Sequence, residues 1–93
     1  MSDEAGLRVV LCWHMHQPQY CDLISGEYKL PWSYLHATKD YVDMAAHLEA
    51  VPGARAVVNF APVLLEQIDD YAAQVRGYLH EHKALRDPLL AAL

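Results

Sequence analysis

Basic residues are few in this chain. Seven Lys and Arg stand against twelve Asp and Glu, the formal charge is −5, and the basic residues form no cluster. That excludes the electrostatic footprint of a nucleic-acid binder and offers no grip on an anionic membrane. Long apolar runs are also missing, since nothing approaches the roughly 18 residues of a membrane span. The opening MSDEAGLR is acidic and polar, without the basic and apolar regions of a secretory signal. Cysteine is limited to Cys12 and Cys21. Their spacing fits neither a CxxC metal pair nor a disulfide framework, so the expectation is a cytoplasmic protein with both thiols reduced rather than a Cys12–Cys21 bridge. There is no internal repeat and no low-complexity tract.

What is present suits one small globular unit: 93 residues, 54% hydrophobic and 20% charged. Residues 7–13, LRVVLCW, form a short, nearly continuous apolar run, which predicts a strand covered on both faces as in a parallel sheet. Residues 14–37 read as a long connection broken by Gln17-Pro18, Ser25-Gly26 and Leu30-Pro31, and carrying Tyr20, Tyr28, Trp32 and Tyr34. Loops of that length in compact domains are usually functional.

A helix is expected from Leu35 or Thr38 to Ala50, with Tyr41, Met44, Ala45 and Leu48 at helical spacing, ended by Val51-Pro52-Gly53. Residues 54–60, ARAVVNF, make a second strand. Pro62 then opens a helix with an apolar stripe of Leu64, Leu65, Ile68, Ala72 and Val75. The stretch from Tyr78 to Leu93 reads as helical or partly ordered, interrupted by Pro88.

The order β-α-β-α implies a parallel sheet with right-handed crossovers. Two such strands do not close a core, and a full β/α barrel needs about 200 residues. The fold class expected is therefore α/β, with residues 1–93 as the first two β/α units of a larger barrel. A small domain completed by self-association is the alternative.

Function gathers at the C-terminal ends of strands in β/α folds. His14, His16 and Gln17 lie just past the first predicted strand, and Asn59 lies at the end of the second. If extended backbone runs through residue 16, His14 and His16 point to one side and Met15 to the other. Pro18 biases Gln17 to an extended conformation. Three readings stay open on the residues alone. His-x-His can supply two metal ligands, but a zinc site needs a third, and His36, Asp40 and Asp22 have no spacing that selects one. Imidazoles and an amide can also bind sugar hydroxyls, with Trp32 and the tyrosines offering flat apolar faces to pyranose rings. Finally, the histidines can be ordinary polar residues at strand ends.

Three blocks, LCWHMHQPQY, LPWSYLHATKDYVDM and VNFAPVLLEQIDDY, resemble the N-terminal part of glycoside hydrolase family 57, and His16-Gln17-Pro18 resembles its first conserved region. The resemblance spans residues 8 to about 80 with the blocks in order. It implies an incomplete seven-stranded (β/α) barrel of the glycoside hydrolase/deacetylase type and retaining chemistry on α-glucans, whether hydrolysis, glucan transfer, branching or debranching. It implies no cofactor and no metal for catalysis, although metal-dependent polysaccharide deacetylases share the broader barrel superfamily and remain the alternative function. A non-enzymatic glucan-binding remnant is the third.

Retaining hydrolysis needs two carboxylates about 5 Å apart. The resemblance puts these in later segments of the family, so the chain is expected to be an N-terminal portion that is inactive alone and carries no catalytic residue. Glu66, Asp69 and Asp70 read as a solvated helix face, and Asp22 and Glu27 as loop carboxylates without a partner. The substrate-binding set is His14, His16, Gln17, Trp32, His36 and Asn59. For Trp32 and His36 the competing reading is packing of the loop, and for Asn59 it is capping of the turn into the next helix. Tyr41 and Met44 read as core, and His47, His80 and His82 as helix surface. The expected partners are an α-glucan or maltooligosaccharide and the remainder of the barrel.

Overall fold

A computed structural model describes residues 6–93; the acidic opening, residues 1–5, lies outside the described residues. The element order is β1 (Cys12–Met15), α1 (Trp32–Thr38), α2 (Asp40–Ala50), β2 (Val57–Phe60), α3 (Pro62–Glu81) and α4 (Pro88–Ala91). β1 and β2 pair in parallel, with Cys12 opposite Val57, His14 opposite Asn59 and Met15 opposite Phe60. The fold is thus mixed α/β with a two-stranded parallel sheet.

β1 begins later than the apolar run predicts and continues beyond it. A strand exists only where it has a partner, and the ladder starts where Val57 donates to the Leu11 carbonyl at 2.8 Å and ends where Ala61 donates to that of Met15 at 3.0 Å. Leu7, Val9 and Val10 lie upstream of that partner and are exposed. His14 therefore sits inside the strand rather than past it.

The expected double cover is also absent. Side chains alternate, so Cys12, His14, Val57 and Asn59 share one face and Trp13, Met15, Val58 and Phe60 the other. The second face turns towards helices: Met15 is buried, and Phe60 borders a cleft with Val42, Ala45, Leu65 and Ile68 from α2 and α3. The first face is open, with Cys12, His14, Val57 and Asn59 all exposed.

The single helix expected before residue 51 is two. It starts at Trp32, right after Pro31, and breaks at Lys39, whose φ of −122° and ψ of −71° leave the helical region. Thr38 sits at the break and donates its hydroxyl to the Tyr34 carbonyl at 3.0 Å, the kind of back-bond that bends helices. α2 then ends as expected. Ala54 donates to the Val51 carbonyl across Pro52-Gly53, and Gly53 at φ +78° supplies the left-handed residue this turn requires.

The long connection is shorter and more ordered than its composition suggests. Cys21 and Tyr28 form an antiparallel bridge, and Lys29 donates to the Tyr20 carbonyl. Asp22 closes the turn between them by accepting from the amides of Ile24 and Ser25, and Glu27 pairs with Lys29. Both loop carboxylates therefore have partners, contrary to expectation.

α3 runs from Pro62 to Glu81, where His82 stops it in the left-handed conformation at φ 56°. Its buried residues are Leu64, Gln67, Tyr71 and Gln74. Their spacing of three, four and three is helical, but the stripe is rotated from the apolar one and half polar. Leu65, Ile68, Ala72 and Val75 instead border open clefts, one of about 560 Å³ shared with Tyr34, Ala37 and Val42. Pro88 does not interrupt a helix but starts one: buried Asp87 caps α4 by accepting from the amides of Leu89 and Leu90.

The chain is open for its size. It exposes 7185 Å², whereas a folded monomer of this mass exposes about 5,400 Å². Its radius of gyration is 17.8 Å, against about 12 Å for a compact chain of this length. Among the described residues no helix is long and apolar enough to cross a membrane.

Candidate functional site

The open sheet face carries the first group of candidates. His14 and Asn59 are register partners, and His14 Nδ1 lies 2.7 Å from Asn59 Oδ1. The amide oxygen can only accept, so the imidazole donates from Nδ1, and Nε2 of the neutral ring remains an acceptor. His16 follows on the same side, its ring 6.0 Å from that of His14 and inclined by 11°. The alternation expected of extended backbone thus holds through residue 16, with Met15 buried behind it. Asn59 does not cap α3, whose N-cap position is Ala61 without a side-chain bond. Its oxygen is engaged by His14, leaving its NH₂ as a donor.

The second group begins at Gln17. Its Oε1 accepts from the Tyr20 hydroxyl at 2.8 Å, and its Nε2 donates to the Tyr41 hydroxyl at 3.2 Å. One N–H and one oxygen lone pair of that amide stay free. Tyr41, expected in the core, is only half-buried, and its ring lies 6.2 Å from that of His36. His36 also lies 6.2 Å from Trp32 and pairs through Nδ1 with Asp40, one helical turn on. Trp32 keeps 45% of its surface exposed. The sequence places Gln17 and His36 nineteen positions apart; Tyr41 touches both and connects them.

Beneath the second group lies a layer that sequence reasoning missed. Gln67 is 2% exposed. Its Nε2 donates to the carbonyls of Pro18 at 2.8 Å and Val63 at 3.2 Å. Its Oε1 accepts from the Tyr20 amide at 3.3 Å and the Ser33 hydroxyl at 3.1 Å. The signal was a polar residue at buried spacing, three after Leu64 and four before Tyr71.

Asp70 is a second hidden anchor rather than part of a solvated face. It accepts from Tyr28, Gln74 and Arg86, and Arg86 also donates to the Gly26 carbonyl at 2.7 Å. Glu66 and Asp69 are exposed, as expected. Buried Asp87 accepts from the hydroxyl of Tyr71. Burial, followed by the adjacent carboxylates, raises the hydroxyls of Tyr28 and Tyr71 well above the ordinary tyrosine range, so both remain protonated donors.

Carboxylates stand apart from the open face. Asp22, Glu27, Asp40, Asp43, Asp70, Glu81 and Asp87 are engaged in turns, caps or ion pairs, and among the described residues none hydrogen-bonds to His14, His16 or Asn59. Nor do any three His, Cys, Asp or Glu among the described residues gather to hold a metal ion. Both cysteines are free. The face offers a row of hydrogen-bond donors and acceptors, which suits hydroxyl recognition.

The family model of glycosyl hydrolase family 57 matches residues 10–86, a span that includes both groups of candidates. No curated protein and no solved structure matches the chain.

Proposed function

Because the chain belongs to glycosyl hydrolase family 57, we propose that it forms part of the substrate-binding wall of a retaining, α-glucan-active hydrolase or glucanotransferase. The observation that carries this reading is the His14–Asn59 pair with His16 beside it, on the uncovered face at the C-terminal ends of both strands. His14 Nε2, His16, the Asn59 NH₂ and the free half of the Gln17 amide bind glucosyl hydroxyls. Trp32, with His36 beside it, offers an apolar ring face to a neighbouring sugar.

The catalytic carboxylates, in this reading, come from polypeptide outside these 93 residues. β1 and β2 are the first strands of a (β/α) barrel, and its remaining strands cover the exposed apolar residues Val9, Val10, Leu11 and Val57. No cofactor takes part, and the setting is cytoplasmic, in keeping with the two free thiols.

Titration with maltoheptaose tests the binding claim, followed through the imidazole signals of His14 and His16 and the fluorescence of Trp32. A saturable change is expected. Unmoved signals at millimolar sugar would remove the reading. Glycosidase activity on amylose from this chain alone would overturn the assignment of the carboxylates to other polypeptide.

A further inference from the structure

We propose that Gln67 is the positioning residue of this site, and that it acts through Tyr20 and Ser33 without touching the ligand. The inference rests on the sugar-binding reading only for what is positioned; the positioning follows from the hydrogen bonds. A primary amide has two N–H donors and an oxygen with two lone pairs. Gln67 uses all four: Pro18 and Val63 carbonyls on one side, Tyr20 amide and Ser33 hydroxyl on the other. The Pro18 and Tyr20 bonds fix the backbone that leaves Gln17, and the Tyr20 hydroxyl then holds the Gln17 amide. The Ser33 bond fixes the first turn of α1, the helix that carries Trp32 and His36. A single buried side chain on α3 therefore sets, in one frame, the two segments that carry Gln17 on one side and Trp32 and His36 on the other.

No other residue type does this unchanged. Methionine has the volume but gives up all four bonds, that to buried Ser33 included. Ionised glutamate keeps the two acceptor bonds and directs negative charge at the carbonyls of Pro18 and Val63. Protonated glutamate regains one donor. The Gln67→Glu variant therefore carries a pH signature that a general loss of packing does not.

The experiment uses the full chain, labelled with ¹⁵N, as Gln67→Glu and as Tyr20→Phe, with maltoheptaose as the probe. At neutral pH, Gln67→Glu is expected to shift the backbone amides of Gln19, Tyr20 and Ser33 and the side-chain amide of Gln17. It is expected to weaken maltoheptaose binding about tenfold. Both differences from wild type at the same pH should shrink on acidification, as the buried carboxyl protonates and donates to Pro18. Tyr20→Phe should move the Gln17 side-chain amide and leave Ser33 in place.

A Gln67→Glu chain that melts earlier but keeps the wild-type Gln17 and Tyr20 signals while folded would show a merely structural residue and overturn the proposal. If that variant does not fold, Tyr20→Phe decides, and an unmoved Gln17 amide there overturns it. Wild type that ignores maltoheptaose would sink the sugar reading, while the shift pattern still decides the positioning.

Discussion

The two sides of α3 are built by different physics. On one side Gln67, Asp70, Tyr71 and Gln74 bind specific partners in the loop before α1 and in the segment around Arg86 and Asp87. On the other, Leu65, Ile68, Ala72 and Val75 border open clefts. Hydrogen bonds are directional and can be completed by a few residues of the same chain. Hydrophobic burial scales with area and needs a large covering surface. A short chain can therefore finish its polar side and leave its apolar side unfinished. Part of the candidate site rests on the finished side, where Gln67 holds the segments that carry Gln17, Trp32 and His36.

The largest effect should come from the finished side. Asp87→Ala removes a buried acceptor from the Tyr71 hydroxyl and from the amides of Leu89 and Leu90. An expected loss of about 2–4 kcal/mol follows from the orphaned donors and the missing cap. Urea unfolding followed by far-ultraviolet circular dichroism reads it. Ile68→Ala on the open side should cost only about 1 kcal/mol, because a half-buried side chain has less to lose. Equal costs for the two variants would abolish the distinction between the sides.

Alkaline pH offers a second way to sharpen it. Tyr28 and Tyr71 are raised in the folded chain, first by burial and then by Asp70 and Asp87 respectively. Above the unfolded tyrosine value the unfolded chain loses these protons and the folded chain keeps them. Their contribution is thus complete below about pH 10 and falls as pH rises, by about 1.4 kcal/mol per pH unit for each tyrosine. Tyr28→Phe should remove one tyrosine's share of that slope in urea titrations above pH 10. An unchanged slope would mean that Tyr28 is not buried against Asp70 in solution.

Leu65 tests the open side directly. It is 47% exposed, and Leu65→Gln is expected to change the stability of this chain by less than about 0.5 kcal/mol. A loss above about 2 kcal/mol, measured in the same urea series, would show that the cleft is covered in solution.

How much of this was legible depends on which force wrote the signal. The alternation of strand with helical segments, the turn at Pro52-Gly53 and the start of α3 at Pro62 follow local rules and stand where the sequence puts them. So does the shared side of His14 and His16, because strand alternation needs only extended backbone. The start of β1 was illegible, because Val9 and Val10 have the right propensity and lack a partner strand opposite them. The break at Lys39 was hidden because Thr38 is tolerated within a helix and shows its effect only through its back-bond.

Gln67 was overlooked for a related reason: apolar periodicity passes over a polar residue on the buried stripe. Asp70 and Asp87 look like solubility residues until Tyr28, Tyr71 and Arg86 arrive from distant segments. Of the candidate site, the strand side shared by His14 and His16 was legible. The bond from His14 to Asn59 and the Tyr41 link between Gln17 and His36 were not, since both join segments far apart in sequence.

The smallest effect probes the outer edge of the finished side. Asp22 closes the turn that feeds Tyr28 towards Asp70, and the amides of Ile24 and Ser25 hold its carboxyl below the ordinary value. A lowered folded value means that the carboxylate's contribution is present above the unfolded value. It is lost as pH falls through the folded one. Asp22→Asn keeps an oxygen for the two amides and removes the titration. The variant should be slightly less stable than wild type at neutral pH, lose less on acidification and converge with wild type in acid. Thermal melts of both chains between about pH 5 and pH 2 check this. Superposable melting curves across that range would mean that the turn is open in solution. The polar side would then be finished only from Tyr28 inward, where burial rather than an exposed turn holds the partners in place.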